Sequence, residues 1–361
     1  MKILIISANT YPLQGPRAFR TAELSECLAK KGHQVTLYTV HGNIKYDDYE
    51  VITGIKMRNV NHALSLSGND GSARYNCIDK LMFHYFHRLL CWPQIEFLFR
   101  VSGIIKENPN ADVLITIAFP HSIHWGAALA KKKYPDIFPK RWIADCGDPF
   151  CLNPLEPQPR YFRKFEKGFC SMVDYITVPT EESKDGYFPE FRNKIKVIPQ
   201  GFDFSKTPIA EYKKNAVPTF LFTGSVYAGK RDPRRFMDYL LSLDIDYKFY
   251  LYMRSPLDKK YEELSNGKIQ YMIGYGRKDI ILACSKMDFL INIKNPSSVQ
   301  TPSKLIDYGI SKRPILDISN DFKEQDDFKE FINGNYQNSM KIPGIDDYRI
   351  ETICAKFESL F

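Results

Sequence analysis

The chain has 361 residues, 44% of them hydrophobic and 25% charged, which excludes a disordered or fibrous chain and exceeds one ordinary core, so two domains are expected. The 50 Lys and Arg against 42 Asp and Glu leave a net charge of +8, which favours an anionic partner such as a nucleotide, a phospholipid surface or nucleic acid, or no more than a mildly basic surface. Eight cysteines are scattered with no CxxC pair or Cys/His cluster at metal spacing, no signal peptide precedes the first strand, and no apolar run could span a bilayer, so the sequence predicts a cytosolic protein without structural zinc.

From the N-terminus, Lys2 to Ser7, "KILIIS", predicts a buried strand, and Ala22, Leu24, Leu28 and Ala29 give helical periodicity over Thr21 to Lys31. Gly32 ends that helix and "HQVTLYTV" is the next strand. This βαβ unit makes the sheet parallel and doubly wound. Its loop, "ANTYPLQGPRAFR", is longer than the roughly two to six residues usual for a βα connection and belongs at the carboxyl edge, where ligands bind. Met82 to Gly103 crowds aromatics with His87, Arg88 and Arg100; it reads as a core-facing helix pair interrupted at Pro93 or as a helix lying on an anionic membrane. Strands follow at Ala111–Phe119, Arg141–Asp148, Asp174–Thr180 and Lys194–Asp203.

Periodicity fails over Phe204 to Pro218, which reads as a linker. A second series then begins: "TFLFTGS", "DYKFYLYM", "IQYMIGY", "DFLINI" and "RPILDI" alternate with helices. The domains are placed at residues 1–203 and 218–344, with the linker at 204–217. An amphipathic helix in 345–361 is expected to pack back on the first domain. No repeat relates the halves.

The stretch "TPSKLIDYGISKRP" is a well-specified helix, capped by Thr301 or Ser303 with Pro302 in its first turn. Free amides, two hydroxyls and Lys304 at one helix start suit an anion, most naturally phosphate; a capped surface helix uses the same residues. Lys230 and Arg231 follow a strand and a glycine-containing loop, where they can neutralise charge on a leaving phosphate, although Arg231, Arg234 and Arg235 also fit a solvated helix start. His121 and His124 follow a buried strand. A histidine there can orient or deprotonate a hydroxyl, or cap the helix. Gly15 lets backbone approach a ligand and Arg17 can hold a phosphate, unless both sit in a plain loop. Asp145 and Asp148 form a loose carboxylate pair with no convincing metal-ligand context.

Four segments in order resemble the GT-B glycosyltransferases of family 4. "GPRAFRTAELSECLAKKGHQVTLYT" is similar to the family's first βαβ unit. "IADCGDPF" resembles its D-x-R-D-x-W strand end, with Cys146-Gly147 where the arginine is expected. "VDYITVPTEESKDGY" with "KIKVIPQGFD" resembles its I-P-N-G-v-D segment, and "FTGSVYAGKRDP" with "PSKLIDYGISKRPIL" its donor-side motifs. The resemblance implies an α/β GT-B fold, with two Rossmann-like doubly wound domains facing a cleft. It also implies metal-independent, retaining transfer of a sugar from a nucleotide-diphosphate donor, a UDP- or GDP-sugar, to a glycan or lipid-linked oligosaccharide in surface polysaccharide biosynthesis. No separate cofactor and no nucleic acid is expected; peripheral association with the inner face of the membrane is compatible.

By position, the resemblance assigns Gly224, Ser225, Lys230, Pro302, Ser303 and Lys304 to the donor diphosphate, with Arg231 as a substitute for the arginine missing at Ser225, and Asp307 to the ribose; Gly15 and Arg17 join the donor site from the reading of the first loop. His121, Asp148 and Lys230 are the expected catalytic residues. Two departures stand out: Ser225 where the family has arginine, and Val299 where it has the first glutamate of a pair. A GT-B epimerase or phosphorylase, or a binding protein without catalysis, stays open; an NAD oxidoreductase is disfavoured because no G-x-G-x-x-G follows the first strand.

Overall fold

The computed structural model describes residues 1–13, 15–60, 85–87, 89–153, 157–224, 226, 231–253, 257–294, 303–342 and 344–361. The chain divides into two compact units, Met1–Phe202 with Tyr348–Phe361, and Asp203–Asp347.

Unit 1 runs β1 (Lys2–Ser7), α1 (Pro16–Lys30), β2 (Gln34–Thr39), α2 (Asp47–Thr53), β3 (Lys56–Asn59), α3 (Phe97–Glu107), β4 (Val113–Ala118), α4 (Ser122–Lys133), β5 (Arg141–Cys146), α5 (Phe162–Met172), β6 (Tyr175–Val178) and β7 (Ile195–Val197). Its strands form a parallel sheet in the order β3-β2-β1-β4-β5-β6-β7. The alternation of a strand divides its apolar residues between two layers. Leu4, Ile6, Leu114, Trp142 and Ala144 face Val101 and Ile105 of α3 and Ala127 of α4. Ile3, Ile5, Val35, Leu37, Val113 and Ile115 face Leu24 and Leu28 of α1.

Unit 2 runs β8 (Thr219–Thr223), α6 (Arg234–Leu241), β9 (Lys248–Met253), α7 (Lys260–Leu264), β10 (Ile269–Ile273), α8 (Arg277–Ser285), β11 (Phe289–Ile293), α9 (Ser303–Ser311), β12 (Ile315–Ile318) and α10 (Gln325–Ile332). Five parallel strands take the order β10-β9-β8-β11-β12. One layer is aromatic: Phe220 stacks on Phe289 at 4.7 Å between centroids, and Phe236, Phe322 and Phe328 close around them edge to face. The other layer packs Leu221 and Leu290 against Cys284, Leu305 and Tyr308.

The last helix, α11 (Ile350–Glu358), belongs to unit 1. The Phe202 amide donates to the Tyr348 carbonyl and the Ile350 amide to the Phe202 carbonyl, each at 2.9 Å, so the chain re-enters unit 1 beside the point where it leaves. Ile350, Ile353 and Phe357 then join the layer of α1, the Arg20 guanidinium lies 4.9 Å over the Phe357 ring, and Glu358 accepts hydrogen bonds from Lys31 and His33.

Two features depart from the sequence reading. Helix α1 starts at Pro16 rather than Thr21, because Pro16 suits the first turn and Ala18, Arg20 and Thr21 are already buried there. The short pair α2 and β3 carries no clear pattern, since β3 is an edge strand burying only Met57. Among the described residues no helix is long and apolar enough to cross a membrane. Truncating the fully buried Phe357 to alanine should cost about 3–5 kcal/mol; urea denaturation showing a loss below about 1 kcal/mol would contradict the placement of α11 in the core of unit 1.

Candidate active-site residues at two sheet edges

In each sheet the winding direction reverses at the first strand of the unit. In doubly wound sheets the carboxyl ends of the two strands at such a reversal are where ligands bind. In unit 1 the reversal lies between β1 and β4, and in unit 2 between β8 and β11.

At the unit 1 edge, the buried acid is Asp145, the penultimate residue of β5. Its Oδ1 accepts from Arg20 Nη2 at 2.8 Å and Thr177 Oγ1 at 2.7 Å, and its Oδ2 accepts from Arg20 Nε at 3.1 Å and Arg17 Nη1 at 3.4 Å. Arg20 also donates to the carbonyls of Pro199 and Ile198. Burial opposes the charge on Asp145, but the two guanidiniums outweigh it and hold the carboxyl below its ordinary range. This pair orients α1 and is saturated.

Arg17 therefore stands in the first turn of a helix, not in a loop, with its side chain 23% exposed. A Cβ on Gly147 would fall 2.3 Å from its Cζ. The guanidinium that the resemblance leads one to expect after Cys146 thus comes from α1, across a glycine that makes room for it. Gly15 caps α1, and a Cβ there would meet nothing within 4 Å.

Of the pair Asp145 and Asp148, only Asp148 is exposed. His121 stands at the N-cap position of α4 with no side-chain capping hydrogen bond and is buried, within reach of the Asp148 backbone carbonyl; burial pushes its imidazole down to about 4. It is a neutral ring at neutral pH, suited to accepting a hydrogen bond and poorly suited to storing a proton. His124 is wholly buried, with Nδ1 2.8 Å from Thr116 Oγ1 and Nε2 3.3 Å from Cys146 Sγ.

At the unit 2 edge, Gly224 follows β8 with φ +128°, and a Cβ there would sit 2.7 Å from Arg231 Nη2 and 3.7 Å from Lys304 Cδ. Glycine is needed for both reasons. The cations of Arg231 and Lys304 share the Phe222 ring, at 6.0 and 4.7 Å from its centroid. Lys304 is only 7% exposed, and its Nζ makes no hydrogen bond among the described residues. Burial, and then the neighbouring Arg231, push its ammonium well below the ordinary lysine range. One turn on, the buried Tyr308 hydroxyl accepts from the Thr223 amide and donates to the Ile291 carbonyl, both at 3.0 Å, which fixes α9 to the two central strands.

Asp307 is already engaged: Arg277 Nε and Nη2 donate to its Oδ1 at 2.9 and 2.5 Å. Among the described residues no hydrogen bond reaches its Oδ2. Ser225, Lys230 and Pro302 lie outside the described residues, as do Val299 and Thr301; of Ser303 only the helical backbone is described. Sequence reasoning missed Arg20, Gly147 and Arg277. Each acts through a residue distant in the chain, and Arg277 shows only as a basic residue at a helix start.

The structure is similar to a glycosyltransferase from Rickettsia africae ESF-5, with a TM-score of 0.65 at 14% identity over 99% of this chain and 97% of that one. It is also similar to Anabaena Alr3699/HepE in complex with UDP, at TM-score 0.61 and 11% identity over 99% of both chains. The apo lipopolysaccharide outer core galactosyltransferase WaaB matches at TM-score 0.59 and 13% identity over 100% of this chain and 99% of that one. Among curated proteins no sequence matches. At these identities the likeness establishes the GT-B fold. The family model for Glycosyltransferase Family 4 matches residues 18–206, just over half of the chain, taking in Arg20 and the rest of α1 after Arg17, the His121 turn and the Asp145 strand end: this protein belongs to glycosyltransferase family 4.

Proposed function

We propose that the protein transfers a sugar from a nucleotide-diphosphate donor, a UDP- or GDP-sugar, to a glycan or lipid-linked acceptor, with retention at the anomeric carbon, in surface polysaccharide biosynthesis on the cytoplasmic side of the membrane. The observation that carries this reading is Lys304. An ammonium held out of water beside Arg231, without a hydrogen-bond partner among the described residues, lowers its free energy by receiving an anion. Lys304 also lies in the first turn of α9, where free backbone amides favour an anion. A diphosphate supplies two adjacent charges for two adjacent cations.

In this reading Lys304 and Arg231, with Lys230, neutralise the charge that grows on the leaving phosphate, so the diphosphate needs no metal. Gly224 keeps the approach open. Asp307 Oδ2 takes a ribose hydroxyl while Arg277 holds the carboxylate in place. His121 and Asp148 are placed on the acceptor side. No side chain stands out as an enzyme nucleophile, so attack on the same face as the departing phosphate fits best. The solved relative with UDP and the galactosyltransferase make UDP the first nucleotide to try.

Lys304→Met separates binding from stability. The apo variant should melt higher than wild type, because a desolvated charge is gone, yet lose its response to nucleotide. At about a hundred times its dissociation constant UDP or GDP should add roughly 2.7 kcal/mol to the wild type. Thermal shift with UDP, GDP and ADP reads both effects; no stabilisation of wild type by any of them would sink the proposal. Turnover of a UDP-sugar without acceptor, giving an epimerised sugar, would replace transfer by epimerisation.

The depressed ammonium also predicts a proton. Free Lys304 has a lowered pKa and a bound diphosphate raises it, so binding takes up a proton wherever the pH exceeds the free value. Affinity should therefore fall as pH rises through that range. Calorimetry in two buffers of different ionisation enthalpy should show net uptake in wild type and less in Lys304→Met; equal uptake in both would remove Lys304 from the site.

A further inference from the structure

We propose that unit 1 binds a zinc-class metal ion through His121, His124 and Cys146, at the corner where β4 turns into α4 beside the end of β5. One ligand atom from each residue lies within 4.8 Å of the other two, and the residues are 5%, 0% and 1% exposed. Tetrahedral zinc with imidazole and thiolate ligands asks for roughly 3.3–3.6 Å between donor atoms. His124 Nε2 and Cys146 Sγ already stand at 3.3 Å. A closure of about 1 Å by the His121 ring completes the triangle.

The groups around the cluster are those that hold metal-bound histidines in place. Thr116 Oγ1 sits 2.8 Å from His124 Nδ1, accepts from Trp142 Nε1 at 2.9 Å, and has the Ile143 carbonyl at 3.5 Å for its own hydrogen. With Nδ1–H given to that hydroxyl, His124 turns the lone pair of Nε2 toward Cys146, the arrangement in which an outer oxygen fixes the tautomer of a ligand. His121 repeats it. One side of its ring is within reach of the Asp148 carbonyl, and its Nδ1 is buried without a hydrogen bond among the described residues. An unpartnered buried nitrogen is costly, and a metal ion is the partner that two imidazoles and a thiol share.

The donor set selects the ion. Two nitrogens and a sulfur suit zinc and its cobalt stand-in and disfavour magnesium and calcium, which take oxygen ligands. On binding, the Cys146 thiol loses its proton to solvent, so ion and thiolate leave a single net positive charge, near the carboxylates of Asp145 and Glu166. The three ligands come from unit 1, apart from the cations of unit 2 assigned to the diphosphate. The ion holds the His121 ring against the Asp148 turn, and three protein ligands leave its fourth position open.

The test uses the whole chain, stripped with chelator and titrated with cobalt. One equivalent should produce tetrahedral d–d bands and a thiolate-to-cobalt charge-transfer absorption that zinc abolishes. Cys146→Ser should lose the charge-transfer absorption, Cys170→Ser, in the same core, should keep it, and His121→Gln should weaken binding at least about tenfold. A natively folded wild type without a thiolate band, or a band that survives in Cys146→Ser, overturns the proposal. If Cys146→Ser does not fold, native mass spectrometry of the wild type incubated with zinc decides: one ion per chain supports the site and none removes it.

Discussion

A lysine kept from water, with no hydrogen bond to its ammonium among the described residues, is the feature on which the sheet edge of unit 2 converges. The Phe222 ring lies under the Lys304 ammonium, Gly224 withholds a side chain, and Tyr308 locks the helix that carries the lysine to β8 and β11. Each places a cation where solvation is poor. Such an arrangement is unfavourable for the empty protein and favourable for one holding an anion, since an electrostatic contact strengthens as water is excluded.

Unit 1 treats buried charge in the opposite way. Asp145 is surrounded by donors, and Arg20 spends its guanidinium on that carboxylate and two backbone carbonyls. Nothing there waits for a ligand; breaking such a pair would leave an uncompensated charge inside the fold, and its role is to hold α1 against β5. Arg17, one turn earlier and partly exposed, is the arginine with reach to spare. The contrast between a saturated arginine and an unsatisfied lysine separates scaffold from site more sharply than charge count does.

The return of the chain gives this scaffold its boundary. Because α11 completes the layer begun by α1, the hydrophobic core of unit 1 needs both ends of the sequence. Unit 2 lies between two adjacent points of one strand-like pairing, Phe202 with Arg349.

Sequence alone determined what depends on neighbours in the chain. Strand and helix order, the parallel sheets and the helix that carries Lys304 all follow from local periodicity and end signals, and those are legible in a single sequence. Boundaries were less so where apolar periodicity begins later than the helix, as at Pro16. Only the tertiary structure decided which of two aspartates is buried, since Asp145 and Asp148 read alike until Arg20 is brought to one of them. It decided that Arg17 fills the gap at Gly147, that Arg277 engages Asp307, and that His121, His124 and Cys146 meet although no sequence spacing announces them. Contacts between distant elements are set by how the sheet orders its strands, and that order joins residues 22 positions apart at His124 and Cys146 and 125 apart at Arg20 and Asp145.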